Sequence, residues 1–183
     1  MDLHATVGDV LLALVLFRLG WGFFGAETAR FSSFFASPRT TVRHLARMLK
    51  PESDRQIGHN PAGGWSVIFL LMLLLGETLS GLYVLNDVAQ VGPLTDSVPS
   101  RIANMIDAMH SLIWRVMLAG IALHLLAIAT YAAAKGQNLL TPMVTGRKSL
   151  PPDIPPPHIA STARALAVLA ASAVVAAALI NFV

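Results

Sequence analysis

The chain has 183 residues, of which 55% are hydrophobic and only 13% charged; soluble domains carry roughly a quarter charged residues, so a water-soluble fold is disfavoured. The formal net charge is +3 and the isoelectric point about 9.8, but the basic residues are distributed by membrane side, and nucleic acid is not an expected partner. The absence of cysteine rules out disulfides, thiolate-bound clusters and covalent C-x-x-C-H sites.

Four apolar segments, about residues 4–25, 65–86, 106–134 and 160–183, predict an all-α integral membrane protein forming one domain over 1–183. Each is about long enough to cross the ~30 Å hydrocarbon layer at ~1.5 Å per residue. None has the short apolar core and cleavage site of a signal peptide. The segment between the first two spans holds Arg30, Arg39, Arg43, Arg47, Lys50 and Arg55, and that between the last two holds Lys135, Arg147 and Lys148. The middle loop has Arg101 against Asp87 and Asp96. The positive-inside bias therefore puts residues 26–64 and the last connecting segment in the cytoplasm, and His4 toward the outer face.

The first span closes with FRLGWGFFG (residues 17–25), with Trp21 suited to a membrane boundary. Residues 38–50 place Val42, Leu45, Ala46 and Leu49 at helical spacing, with Arg43, Arg47 and Lys50 elsewhere on the wheel. This predicts a short helix, either lying against anionic membrane lipid or serving as an ordinary connection. GHNPAGGW (residues 58–65) supplies the chemistry of a tight turn into the second span. Within that span stands Glu77, beside Thr78 and Ser80; a carboxylate there is costly unless paired, protonated or hydrated. The prolines of residues 149–159 predict a surface linker. No repeat relates the spans, so an inverted-repeat transporter has little support.

The third span carries His110 and His124, fourteen residues apart. On a helix they stand about 40° apart in rotation and ~21 Å apart in height, on one face at two depths. Two redox centres stacked across a bilayer require that arrangement, whereas a single metal site wants ligands one turn apart. The favoured expectation is non-covalent haem; the alternative is a pair of interhelical hydrogen bonds. His4 matches His110 in depth and is the candidate second axial ligand, although alone it would read as an interfacial histidine. Arg18 follows His4 by the same fourteen residues, placing its charge near His124 to pair with a haem propionate or to snorkel to the headgroups. Arg115, inward of His110, is a second candidate cation. Gly8 and Gly120 would let a flat macrocycle approach the backbone, or would serve helix packing. His44 and His158 read as surface residues. For His59 to share an iron with His124, the turn that carries it would have to dip inward.

At this point the residues resemble a family, the bacterial cytochrome b561 and nickel-iron hydrogenase b-type cytochromes. The matching stretches are FRLGWGFFGAETARFSSFFASP (residues 17–38), GHNPAGGW (residues 58–65), the His110/His124 helix and LLTPMVTGRK (residues 139–148). The resemblance implies a haem-binding four-helix bundle with an additional C-terminal span, of which these four helices form most. It implies two b haems, with His4 and His110 on the outer one and His124 on one side of the inner one. It also implies an inner-membrane electron carrier between the quinone pool and a redox partner such as a hydrogenase. Family members carry an earlier span with a histidine near its cytoplasmic end, and this chain starts at what would be the second. The expectation is a fuller form that completes the inner site; binding of the outer haem alone is the other reading. Rival functions are a proton or ion pathway built on Glu77, Asp9 and the intramembrane cations and histidines, and a haem-free membrane anchor for a peripheral enzyme.

Overall fold

The computed structural model describes residues 3–46, 57–85, 91–135, 140–148 and 154–181, and all the regular structure in them is helical. Four helices are long and apolar enough to cross a membrane: α1 (Leu3–Phe24), α4 (Pro61–Gly81), α5 (Ser100–Lys135) and α7 (Thr162–Asn181). Shorter helices α2 (Phe31–Phe34) and α3 (Pro38–Ala46) connect α1 to α4, and α6 (Leu140–Thr145) lies between α5 and α7. The principal packings are α7 on α1, α1 on α4 and α4 on α5. One core cluster joins Leu12 of α1, Ala176 of α7, and Leu82 and Leu94 just beyond α4. Many other apolar side chains point outward, as Leu112, Leu118, Leu123 and Leu126 do on α5. In lipid that exposure is the expected state, because a helix satisfies its own backbone and needs no polar solvent.

The helix starts have local causes. Asn60 caps α4, its side-chain oxygen accepting from Gly63 N at 2.7 Å, with Pro61 at the first position. The span therefore begins four residues before the expected Trp65. It ends at Gly81 because the chain folds back, Leu94 N donating to Leu82 O at 2.8 Å and Gly92 N to Val84 O at 2.9 Å. Ser37 receives the Thr40 N–H at 3.3 Å and starts α3. That helix carries the expected basic segment as far as Ala46; Arg47 and Lys50 lie outside the described residues. α5 starts at Ser100, six residues before the expected Ile106, with the Pro99 carbonyl accepting from Ile102 N and Ala103 N. Its 36 residues measure about 54 Å at ~1.5 Å each, so it outlasts the hydrocarbon layer. Of the proline-rich linker, residues 154–161 are described and non-helical. They are pinned to the α1–α2 connection, Glu27 N donating to His158 O at 3.0 Å and His158 N to Glu27 Oε2 at 2.9 Å.

Glycines admit the aromatic connection between α1 and α4. A Cβ at Gly22 would lie 2.1 Å from the Phe31 ring, and one at Gly64 would lie 2.6 Å from the Phe34 carbonyl oxygen. The Trp65 indole donates to Ala36 O at 3.0 Å and its ring meets Phe35 at 5.1 Å. Because backbone blocks the Gly64 position, Gly64→Ala should destabilise the protein by about 1–3 kcal/mol, the usual range for overpacking. Thermal unfolding in detergent measures this, and an unchanged midpoint would refute the close approach.

Candidate functional site

His110 and His124 stand on one unbroken helix, α5, and each is met by a hydroxyl of α4. Ser80 Oγ lies 2.9 Å from His110 Nδ1, and Ser66 Oγ lies 3.0 Å from His124 Nδ1. The two serines are themselves fourteen residues apart, so the helices run oppositely in a register that serves both imidazoles. The rings are thereby oriented at two depths, as the spacing predicted, and both contacts are interhelical hydrogen bonds.

At the first of these levels the proton positions can be assigned. The Ser80 hydroxyl donates to the Glu77 carbonyl at 3.0 Å. It has one proton to give, so toward His110 its oxygen accepts, and Nδ1 carries the imidazole N–H. Nε2 faces Glu77 Oε1 at 3.3 Å, while Glu77 Oε2 is buried with no hydrogen-bond partner among the described residues. With Nε2 bare, the contact is a hydrogen bond when the Glu77 carboxyl is protonated and donates to the imidazole.

His4 meets His110 from α1, with ring centroids 6.3 Å apart and planes at 86°. Two imidazoles sharing one metal through bonds of ~2.0–2.1 Å place their centroids about 6 Å apart, so the separation fits a shared ion. Gly8, one turn beyond His4, faces open space: nothing lies within 4 Å of where its Cβ would stand. Paired imidazoles beside an uncrowded helix face fit a flat metal-bearing group held without covalent attachment. Arg115 is exposed, and its Nε donates to Ser111 O at 3.0 Å, returning the guanidinium to its own helix.

The His124 level differs. Gly120 is occupied by helix packing, its absent Cβ lying 3.0 Å from Leu70 Cδ2 and 3.1 Å from Phe69 Cε1. Arg18 is tied into the α1–α4 connection: its guanidinium donates to Ala29 O at 3.3 Å and sits 5.4 Å from the Phe31 ring centroid. His59 leans on Phe34, ring centroids 5.1 Å apart, and lies within electrostatic reach of both Arg18 and His124. Although one side of it meets solvent, partial burial and then repulsion from Arg18 and His124 hold its protonation below the ordinary value of 6.5. A cavity of about 510 Å³ opens here, lined by Phe34, Phe35, His59, Pro61 and Pro157 among others. His44 is half-buried, its ring bonded to the Tyr131 hydroxyl, so α3 is fastened to α5. No group of three or more acidic, histidine or cysteine residues among the described residues makes a metal cluster. The site is built of pairs.

The sequence reading did not mention Ser66 and noted Ser80 only as a neighbour of Glu77. Their fourteen-residue interval, equal to that of the histidines, was the available signal.

The chain matches the family described as prokaryotic cytochrome b561 over residues 1–146. No curated protein and no solved structure matches it.

The surroundings of His59 set a pH dependence. Its proton affinity is lower folded than unfolded, so just below pH 6.5 the unfolded chain binds more protons. This group's stabilising effect is full above that pH. It is lost as pH falls toward the depressed folded value, below which the loss stops. Arg18→Gln removes one repelling charge, so NMR titration of His59 should give a higher pKa and unfolding a smaller acid-side loss. An unmoved His59 titration would disprove the coupling.

Proposed function

The chain belongs to the prokaryotic cytochrome b561 family, whose role is electron transfer within a membrane helical bundle, and we propose that it does so with haem b held by His4 and His110. The chain is accordingly a multi-pass bacterial membrane protein, which we place in the inner membrane. The observation that carries the reading is the 6.3 Å approach of the two imidazoles, from separate spans, beside the open flank of Gly8.

Bound at this position, haem supplies a reversible one-electron iron couple, and the protein supplies ligation, burial and spacing. His4 of α1 and His110 of α5 would hold it, each offering an imidazole. Occupation of Nε2 of His110 requires Glu77 to give up its contact there, and Gly8 leaves space for the edge of a macrocycle. His124 offers one ligand of a second site ~21 Å along α5, far enough to carry charge over much of the bilayer. Arg18 contributes a fixed cation toward that end, where it would balance propionate charge. We place exchange with quinone or quinol at the cavity of about 510 Å³ beside His59. The other redox partner is a dehydrogenase such as a hydrogenase.

Glu77 supports one rival, a proton path without haem, because an intramembrane carboxylate with an unbonded oxygen is a natural proton carrier. Colour separates the two. Protein purified after haem supplementation should show a Soret band and a reduced b-type α band, and His110→Ala should lose the haem bound with His4. A haem-to-protein ratio near one marks that site alone, and a ratio near two requires a second ligand for His124. A colourless wild-type protein would end the cytochrome reading.

Gly8 supplies a separate check. Gly8→Leu should lower haem content severalfold while leaving the unfolding midpoint of the haem-free protein unchanged, since it enters open space. Full haem content in that variant would remove Gly8 from the site.

A further inference from the structure

Ser80 is joined to two groups at once, and the direction of both bonds is determined. Its hydroxyl gives its proton to the Glu77 carbonyl at 3.0 Å and accepts from His110 Nδ1 at 2.9 Å. The imidazole is thereby held as the tautomer whose bare nitrogen is Nε2. An N–H that donates to a fixed acceptor makes the opposite ring nitrogen a stronger electron donor to a metal. Accepting hydroxyls of this kind act on a redox centre through its ligand, by stabilising the more positive oxidation state.

We propose that Ser80 is a positioning residue for electron transfer: it fixes the tautomer and orientation of His110 and lowers the reduction potential of the haem that His110 ligates. The inference rests on the haem reading above and adds to it a residue that touches neither iron nor macrocycle. Ser66 Oγ likewise lies 3.0 Å from His124 Nδ1, so a serine meets the histidine at both levels. Thr130 of α5 supplies a control, because its hydroxyl donates to Leu126 O of its own helix at 2.8 Å. Thr130→Val removes a hydroxyl from an apolar helix without touching either histidine contact, and must leave the His110 haem alone.

The experiment is potentiometric titration and low-temperature EPR of the purified haem-loaded protein. The haem in question is the one whose signals disappear in His110→Ala. Ser80→Ala and Ser80→Val should shift its potential upward and move its largest ferric g value. Ser80→Thr, isosteric with valine but able to keep both hydrogen bonds, should restore the wild-type values. Thr130→Val should leave both readings of this haem unchanged. If Ser80→Ala loses haem altogether, retention of haem by Thr and loss by Val supports the same role. Loss by both assigns Ser80 to packing and overturns the proposal, as does a wild-type potential in Ser80→Ala or an equal shift caused by Thr130→Val. A wild-type protein that takes up no haem has a different meaning: the cytochrome reading fails, and Ser80 falls with it.

Discussion

The register between α4 and α5 is the constraint on which the rest of the structure depends. Two apolar helices in lipid have no hydrophobic reason to prefer one sliding position over another, because lipid tails are as apolar as their side chains. Polar contacts break that degeneracy. Ser80 with His110 and Ser66 with His124, at 2.9 and 3.0 Å, can form together in only one antiparallel alignment. A slip of one turn would take both imidazoles from their serine partners, and each polar group so stranded costs on the order of a kilocalorie or more. The alignment that satisfies these groups is also the one that presents His110 to His4.

The end of the bundle nearer His124 is organised by a different economy, close approach of backbone. The connection after α1 must turn sharply and bring two phenylalanines back against the helix ends. Gly22 admits the Phe31 ring, and Gly64 admits the Phe34 backbone. Arg18 then reaches Ala29 O across the Phe31 face, while Glu27 exchanges two hydrogen bonds with His158. The runs FRLGWGFFG and GHNPAGGW are therefore the two walls of one seat. Their glycines are explained by what fills the missing side chains.

This division also explains what could be read from sequence. The four spans were legible because twenty or so apolar residues have few other uses, and the matched depth of His4 and His110 followed from helix rise alone. The boundaries were less legible. α5 begins at Ser100 and takes in Arg101 and Asn104, polar residues that an apolar-run criterion leaves out. α4 starts at an asparagine cap that hydropathy does not register. The serines were hidden by company: Thr78, Thr130 and Ser172 also sit in apolar helices, and each returns its hydroxyl to a carbonyl of its own helix. Side-chain type does not separate those from Ser66 and Ser80; only the partner across the interface does. Arg18 and Gly120 were left between two roles each; in the fold Arg18 also reaches the Ala29 carbonyl and Gly120 lies against Leu70 and Phe69, contacts that spacing does not reveal.

The arrangement around His110 separates what must stay from what must yield. Ser80 binds the backbone carbonyl of Glu77, not its carboxylate. The carboxylate can therefore swing away from Nε2 without disturbing the hydroxyl that holds Nδ1. A metal arriving at Nε2 would displace one contact of 3.3 Å and leave the orientation of the ring intact. Preorganisation of this sort lowers the entropic cost of binding, because the rotamer and tautomer are fixed in advance. The same geometry explains why a buried acid is tolerable there: with Nε2 bare, the protonated Glu77 carboxyl is the form that can donate to it, and the Glu77 backbone carbonyl secures the serine whether or not that contact is made.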